Sequence, residues 1–124
     1  MLFVQLVRVL GPVTVLAADG RELDPGARRH AEVLALLAAH HGRQVSAETL
    51  ADLLWRGRPP PSAATTLQGY VSRLRRLLEP ERAANAVPTS IVTVGDGYRL
   101  GLDTDAGRFE AEVRRAREQT GTAP

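Results

Sequence analysis

No cysteine occurs in the chain. Disulfides, thiol nucleophiles and zinc sites of the cysteine type are thereby excluded, and a reducing compartment, the cytoplasm, is the expected setting. Lysine is absent too: all sixteen basic residues are arginine. With the abundant alanine, this reflects a GC-rich genome before it reflects function. The aromatic residues are one Trp, two Tyr and two Phe, so the core has to be aliphatic. Long apolar runs are missing as well. The opening MLFVQLVRVL is interrupted by Gln5 and Arg8 and is far too short to cross a bilayer. It reads as a strand, not as a signal peptide, and no membrane partner is expected.

What remains is 124 residues, room for one domain and at most part of a second, with an ordinary apolar fraction of 44%. The net charge of +2 is unevenly spread. Residues 1–55 hold five Arg against six acids, 56–82 hold six Arg against two, and 83–124 hold five against six. Such a concentration in the middle of a chain points to a surface that faces a polyanion.

The middle of the chain is SAATTLQGYVSRLRRLL, Ser62 to Leu78. At about 100° per residue, Ala64, Leu67, Val71, Leu74 and Leu78 form one apolar stripe. Thr65, Gly69, Ser72 and Arg76 point the opposite way, with Arg73 on their flank. Ser62 is the expected N-cap and Pro80 the stop. No acidic residue lies between Ser62 and Leu78. One edge therefore packs, and the other offers small polar groups followed by arginines.

Around this helix the pattern is compact. Leu2 to Leu10, Val13 to Ala17 and Arg21 to Asp24 read as three strands of a small antiparallel sheet, with turns at Gly11-Pro12 and Asp19-Gly20. A first helix follows Pro25-Gly26, with Ala31, Leu34, Leu37 and Ala38 at helical spacing and Gly42 as its C-terminal cap. Ser46 caps a short second helix whose apolar side is Leu50, Leu53, Leu54 and Trp55. The run RGRPPP, Arg56 to Pro61, excludes helix and forms a stiff connector. Ile91 to Leu100 reads as two strands around Gly95-Asp96-Gly97, a hairpin. The segment from Asp105 to Arg117 carries Phe109, Val113 and Ala116 on one helical face with no evident body to pack on, before a polar end from Thr120. The fold class expected is α+β: a winged helix-turn-helix with an N-terminal antiparallel sheet, three helices and a C-terminal β-hairpin wing. In that arrangement the third helix enters the major groove and the wing grips the flanking backbone or minor groove.

The segments LVRVLGPVTV, ATTLQGYVSRLRRLL and GYRL, with the Leu54-Trp55 to Pro60 junction, resemble the DNA-binding domain of the Streptomyces antibiotic regulatory protein family, itself similar to the OmpR/PhoB-type winged helix. The resemblance covers roughly Leu2 to Asp103, and residues 1–103 are assigned to that domain. DAGRFEAEVRRAR resembles the opening of the helical bacterial transcriptional activator domain that follows in this family. Residues 104–124 would then be its first helix, and the chain a piece of a longer regulator. The resemblance implies a transcriptional activator that binds direct repeats in promoters as a side-by-side dimer and contacts RNA polymerase. It places Thr66, Tyr70, Ser72, Arg73 and Arg75 toward DNA and lets the Trp55 indole reach a phosphate. Where the family carries an arginine in the wing, this chain has Val94, and Asp96 would repel phosphate at the tip. Thr93 and Arg99 are left as the wing candidates, and specificity is expected to come mainly from the helix.

Each candidate has a plainer alternative. Arg73 and Arg76 can grip guanine or phosphate, or simply be solvated; Arg75, nearer the core edge, can hold a phosphate or form an intramolecular ion pair. Thr65, Thr66, Gln68 and Ser72 can bond bases or water. Gly69 can admit a close backbone approach, or be a tolerated helix defect costing ~1 kcal/mol. Tyr70 and Trp55 can belong to the core. His30, His40 and His41 make no metal constellation, nothing resembles a nucleophile elbow or a phosphate loop, and no cofactor or enzymatic activity is expected. Sequence-specific binding of double-stranded DNA is the leading reading. The other is a winged-helix interaction module whose third helix binds an acidic protein.

Overall fold

The computed structural model describes residues 4–17 and 19–121. Leu2 and Phe3, expected to open the first strand, and residues 122–124 of the polar end lie outside the described residues. Strand β1 (Val4–Arg8) pairs antiparallel with β2 (Thr14–Ala17), and β2 with β3 (Glu22–Leu23). This is the expected meander, with shorter strands. One member was not anticipated: β7 (Asp103–Thr104) lies parallel to β1, so the sheet runs β3-β2-β1-β7 and is not purely antiparallel. A two-residue strand carries no periodicity of its own, and only its neighbour defines it.

Helix α1 (Arg28–Ala39) buries His30, Val33, Leu34, Leu37 and Ala38. Its end corrects the sequence reading. Gly42 was the expected left-handed cap, yet His41 enters that region first (φ 52°) and Gly42 follows (φ 79°). The His40 and His41 amides close the last turn on the Leu37 and Ala38 carbonyls. Strand β4 (Val45–Ser46) then leads into α2 (Ala47–Leu54), whose N-cap is Ser46 as expected, its Oγ accepting from the Thr49 amide at 3.0 Å. Leu50, Ala51 and Leu54 face inward, while Leu53, placed on the apolar side from its spacing, is 48% exposed.

Helix α3 (Ala63–Leu78) seals Ala63, Leu67, Val71, Leu74 and Leu78 against α1 and α2. The stripe is the expected one but for its first member: Ala63 is buried and Ala64 exposed. Ala64 sits about 60° from Leu67 around the axis and Ala63 about 40° on the other side, so two small neighbouring residues left the choice to packing. Ser62 does not cap with its side chain. Its φ of −87° and ψ of 8° continue a turn instead of the extended geometry a capping hydroxyl needs. The core of these helices with Val7, Val15 and Ile91 is aliphatic, and Tyr98 is its one aromatic among the described residues.

Strands β5 (Ile91–Val94) and β6 (Gly97–Leu100) form the hairpin, and β4 adds to β6, making a three-stranded sheet. The turn proper is two residues, Gly95 (φ 57°) and Asp96, the positive φ at the first central position matching a II′ turn. Gly97, read as part of the turn, opens β6.

Glu79, the C-cap of α3, ties that helix to the hairpin. Its carboxylate accepts from the Thr89 amide (2.9 Å), the Thr89 hydroxyl (3.0 Å) and the buried Ser90 hydroxyl. Burial would raise the carboxyl's pKa, but the hydrogen bonds from Ser90 and Thr89 outweigh it and hold it below the ordinary range. Glu79→Gln is expected to cost about 1–2 kcal/mol at neutral pH, read from urea denaturation. A depressed carboxyl contributes stability above its unfolded pKa and loses it as pH falls through the folded one. The gap between the two proteins should therefore close on acidification below the usual glutamate range.

Helix α4 (Asp105–Gly121) is fastened at its start. Asp105 accepts from the amides of Val9 (2.8 Å), Leu10 (3.1 Å) and Ala106 (2.8 Å), and the Thr104 hydroxyl accepts from Gly107. Beyond that turn Phe109 is 59% exposed.

Candidate nucleic-acid interface

The free side of α3 is a continuous exposed stripe: Ala64, Thr65, Gln68, Gly69, Ser72, Arg73 and Arg76. Thr66 and Tyr70 lie half-buried along one border, and Arg75 half-buried on the other side. An ideal Cβ on Gly69 would meet nothing within 4 Å, so the fold does not require glycine there.

Arg73 and Arg76 have no ion-pair partner among the described residues. Their charge is uncompensated along a face that carries no acid. Tyr70 meets the buried His30 ring edge-on at 5.0 Å between centroids. Burial, and then Arg73, lowers the His30 pKa, which keeps that imidazole neutral under the helix.

Arg75 differs from its neighbours. Its Nε donates to the Ile91 carbonyl (2.9 Å) and its Nη2 to Thr93 Oγ1 (2.9 Å), with the guanidinium 5.9 Å from the Tyr98 ring centre. The intramolecular ion pair left open for it is not formed among the described residues; a carbonyl and a hydroxyl of the wing hold the guanidinium instead.

The wing candidates are not brought together. Thr93 pairs with Tyr98, and Val92 with Arg99, so Thr93 and Arg99 occupy opposite faces of the hairpin. Thr93 is exposed on the side that Arg75 reaches; Arg99 is half-buried and lines a cleft with His41, Leu102 and Arg108. Asp96 is exposed at the tip, where Gln44 Nε2 donates to it (3.3 Å) and to the Val94 carbonyl (2.6 Å). This bracing by Gln44 left no sequence signal, because the partners lie some fifty residues apart. Trp55 is half-buried against the core, with the Arg29 guanidinium 5.8 Å from its ring, while Arg56 and Arg58 are exposed in the connector.

A short second helix, a connector, a sealed third helix with a free cationic face, and a β-hairpin behind it define a winged helix-turn-helix of the transcriptional-regulator kind. The chain belongs to the family described as transcriptional regulatory protein, C terminal, which residues 23–100 match. It is 34% identical over 112 residues to the transcriptional regulatory protein EmbR of Mycobacterium tuberculosis, covering 84% of this chain and 27% of EmbR. It is 36% identical over 110 residues to the regulatory protein DnrI of Streptomyces peucetius, covering 84% and 40%. These relatives are regulators of the Streptomyces antibiotic regulatory protein type, as the sequence resemblance implied. The chain thus spans well under half of their length. Among solved structures, M. tuberculosis EmbR in complex with a low-affinity phosphopeptide superposes with a TM-score of 0.75 at 32% identity, over 90% of this chain and 29% of that one. The DNA-binding domain of E. coli CadC superposes with 0.56 at 24% identity, over 80% and 94%, a likeness of fold alone. No helix among the described residues is long and apolar enough to cross a membrane.

Proposed function

We propose that this domain binds duplex DNA sequence-specifically in the cytoplasm, laying α3 in the major groove. The observation that carries the reading is the acid-free exposed stripe with two uncompensated arginines on a helix whose other side is sealed. Arg73 and Arg76 take guanine edges or phosphates, and Thr65, Gln68 and Ser72 supply hydrogen bonds that a base edge can match. Thr66 and Tyr70 border the contact, and Trp55 meets the backbone beside it. The family relationship supports the rest of the proposal: an activator whose copies sit side by side on direct repeats and touch RNA polymerase, with residues 104–124 opening a further domain.

Selection from a pool of random duplexes tests this. One enriched motif is expected, with affinity for it falling log-linearly as salt rises, because arginine–phosphate contacts release counterions. A pool that returns no preferred sequence would overturn it. That result would favour an acidic protein partner for α3, the reading that Val94 in place of a wing arginine supports.

Gly69 separates stability from binding. Gly69→Ala meets open space, so it should stabilise the free domain by ~1 kcal/mol and raise the melting temperature by a few degrees. It should nonetheless weaken the selected duplex, since a methyl group there holds the backbone off the groove. Tighter binding by the alanine variant would refute the close approach.

A further inference from the structure

We propose that Arg75 is a positioning residue, which sets the wing against α3 and holds the Thr93 hydroxyl so that its hydrogen donates to a phosphate oxygen beside the groove that α3 occupies. The inference rests on the DNA reading above. Both hydrogen bonds and the cation–π contact of Arg75 land on the wing: the Ile91 carbonyl and Thr93 Oγ1 are two residues apart on one face of β5, and Tyr98 is directly opposite Thr93. One turn along the same helix edge, Glu79 holds Thr89 and Ser90 at the entry to β5. Two side chains four residues apart therefore fix the strand along its length.

Hydroxyl chemistry supplies the rest. The Thr93 oxygen accepts from a cationic donor, so its single hydrogen is left to donate, polarised by the charge behind it. Thr93 is exposed on the side of the hairpin that Arg75 reaches. The other polar groups of the wing do not compete for a phosphate, since Arg99 stands on the opposite face and Asp96 is an anion.

The test compares Thr93→Val, Thr93→Ser, Arg75→Lys and the double variant of Thr93→Val with Arg75→Lys on the selected duplex. A series of duplexes follows, each carrying one neutral methylphosphonate linkage. Thr93→Val and Arg75→Lys should each weaken binding roughly tenfold to a hundredfold, the worth of one hydrogen bond to a charged group. The double variant should lose no more than either alone, and Thr93→Ser should bind like the parent. The parent should be sensitive to one neutralised phosphate to which both Thr93→Val and Arg75→Lys are indifferent. The urea midpoint of Thr93→Val should move little, because Arg75 keeps its bond to the Ile91 carbonyl and Thr93 is exposed.

A Thr93→Val protein that binds like the parent, or that keeps the same methylphosphonate sensitivity, would overturn the proposal. So would Arg75→Lys retaining full affinity, which would make Arg75 a direct charge contact. If the parent itself selects no duplex, the DNA reading fails and this inference with it; selective binding with unaffected variants sinks this inference alone.

Discussion

Gly97→Ala is expected to lower stability by about 3 kcal/mol or more, with a fall in the melting temperature of roughly 10 °C or more. A Cβ there would lie 2.0 Å from the Val45 carbonyl oxygen and 2.7 Å from the Ser46 Cα. Both obstacles are backbone, in the strand paired with β6, so no rotamer change relieves them. The options are to lose the β4–β6 pairing or to push the hairpin outward, and either one pulls Tyr98 and Leu100 from the core. Val45 and Ser46 also lead directly into the cap of α2, so the damage reaches the helix pair that carries α3. Urea titration followed by circular dichroism measures it, with Gly69→Ala as the control for adding a methyl group in open space. A midpoint for Gly97→Ala within error of the parent would show that the pairing is not as close as described.

Arg73→Ala should reduce affinity for the selected duplex by about 1–3 kcal/mol, roughly fivefold to over a hundredfold, and leave the fold intact. The side chain is exposed and without an ion-pair partner among the described residues, so its removal breaks no salt bridge. Its charge, which helps depress the His30 pKa, already opposes a cation at that place in the free protein, and its loss should if anything ease folding at low pH. Arg114→Ala is the matched control, an exposed arginine on α4 away from the stripe. Gel-shift titrations of both variants decide the matter: equal losses would mean that only net charge counts and that α3 has no special place. The salt dependence refines it, since a phosphate contact takes about 0.9 from the slope when lost, whereas a base contact leaves the slope nearly unchanged and relaxes the sequence preference.

Much of this was legible in the residues. The helix from Ala63 to Leu78, its apolar stripe and its stop before Pro80 follow from a 3.6-residue period that persists over sixteen residues, long enough for the pattern to be unambiguous. The capping serine before α2 and the hairpin around Gly95 are local signals read from one or two residue types. The misreadings share a cause. Ala63 and Ala64, and His41 and Gly42, are choices between adjacent residues of similar local merit, and Ser62 as a cap turns on a backbone angle; all of these are settled by the surrounding fold. Leu53 shows the same limit, because helical spacing gives the direction of a side chain and not whether another element stands there.

Chemistry, by contrast, was decided along the chain. The paucity of aromatics, the acid-free arginine-bearing helix and the alternation of short apolar segments with Gly and Pro punctuation set the class of fold, the cationic helix face and the aliphatic core, because these depend on residue type and local period alone. Tertiary structure decided which of those arginines are free. Arg73, Arg75 and Arg76 lie within four positions of one another, and helical spacing puts Arg75 nearer the core edge without saying what it holds. Only the arrival of β5, thirteen residues after the helix ends, gives Arg75 a carbonyl and a hydroxyl to hold, while the other two stay on the exposed face of α3. Long-range pairing also brought β7 to β1 and Gln44 to the wing tip, since contacts between distant segments exist only once the chain has folded around its core.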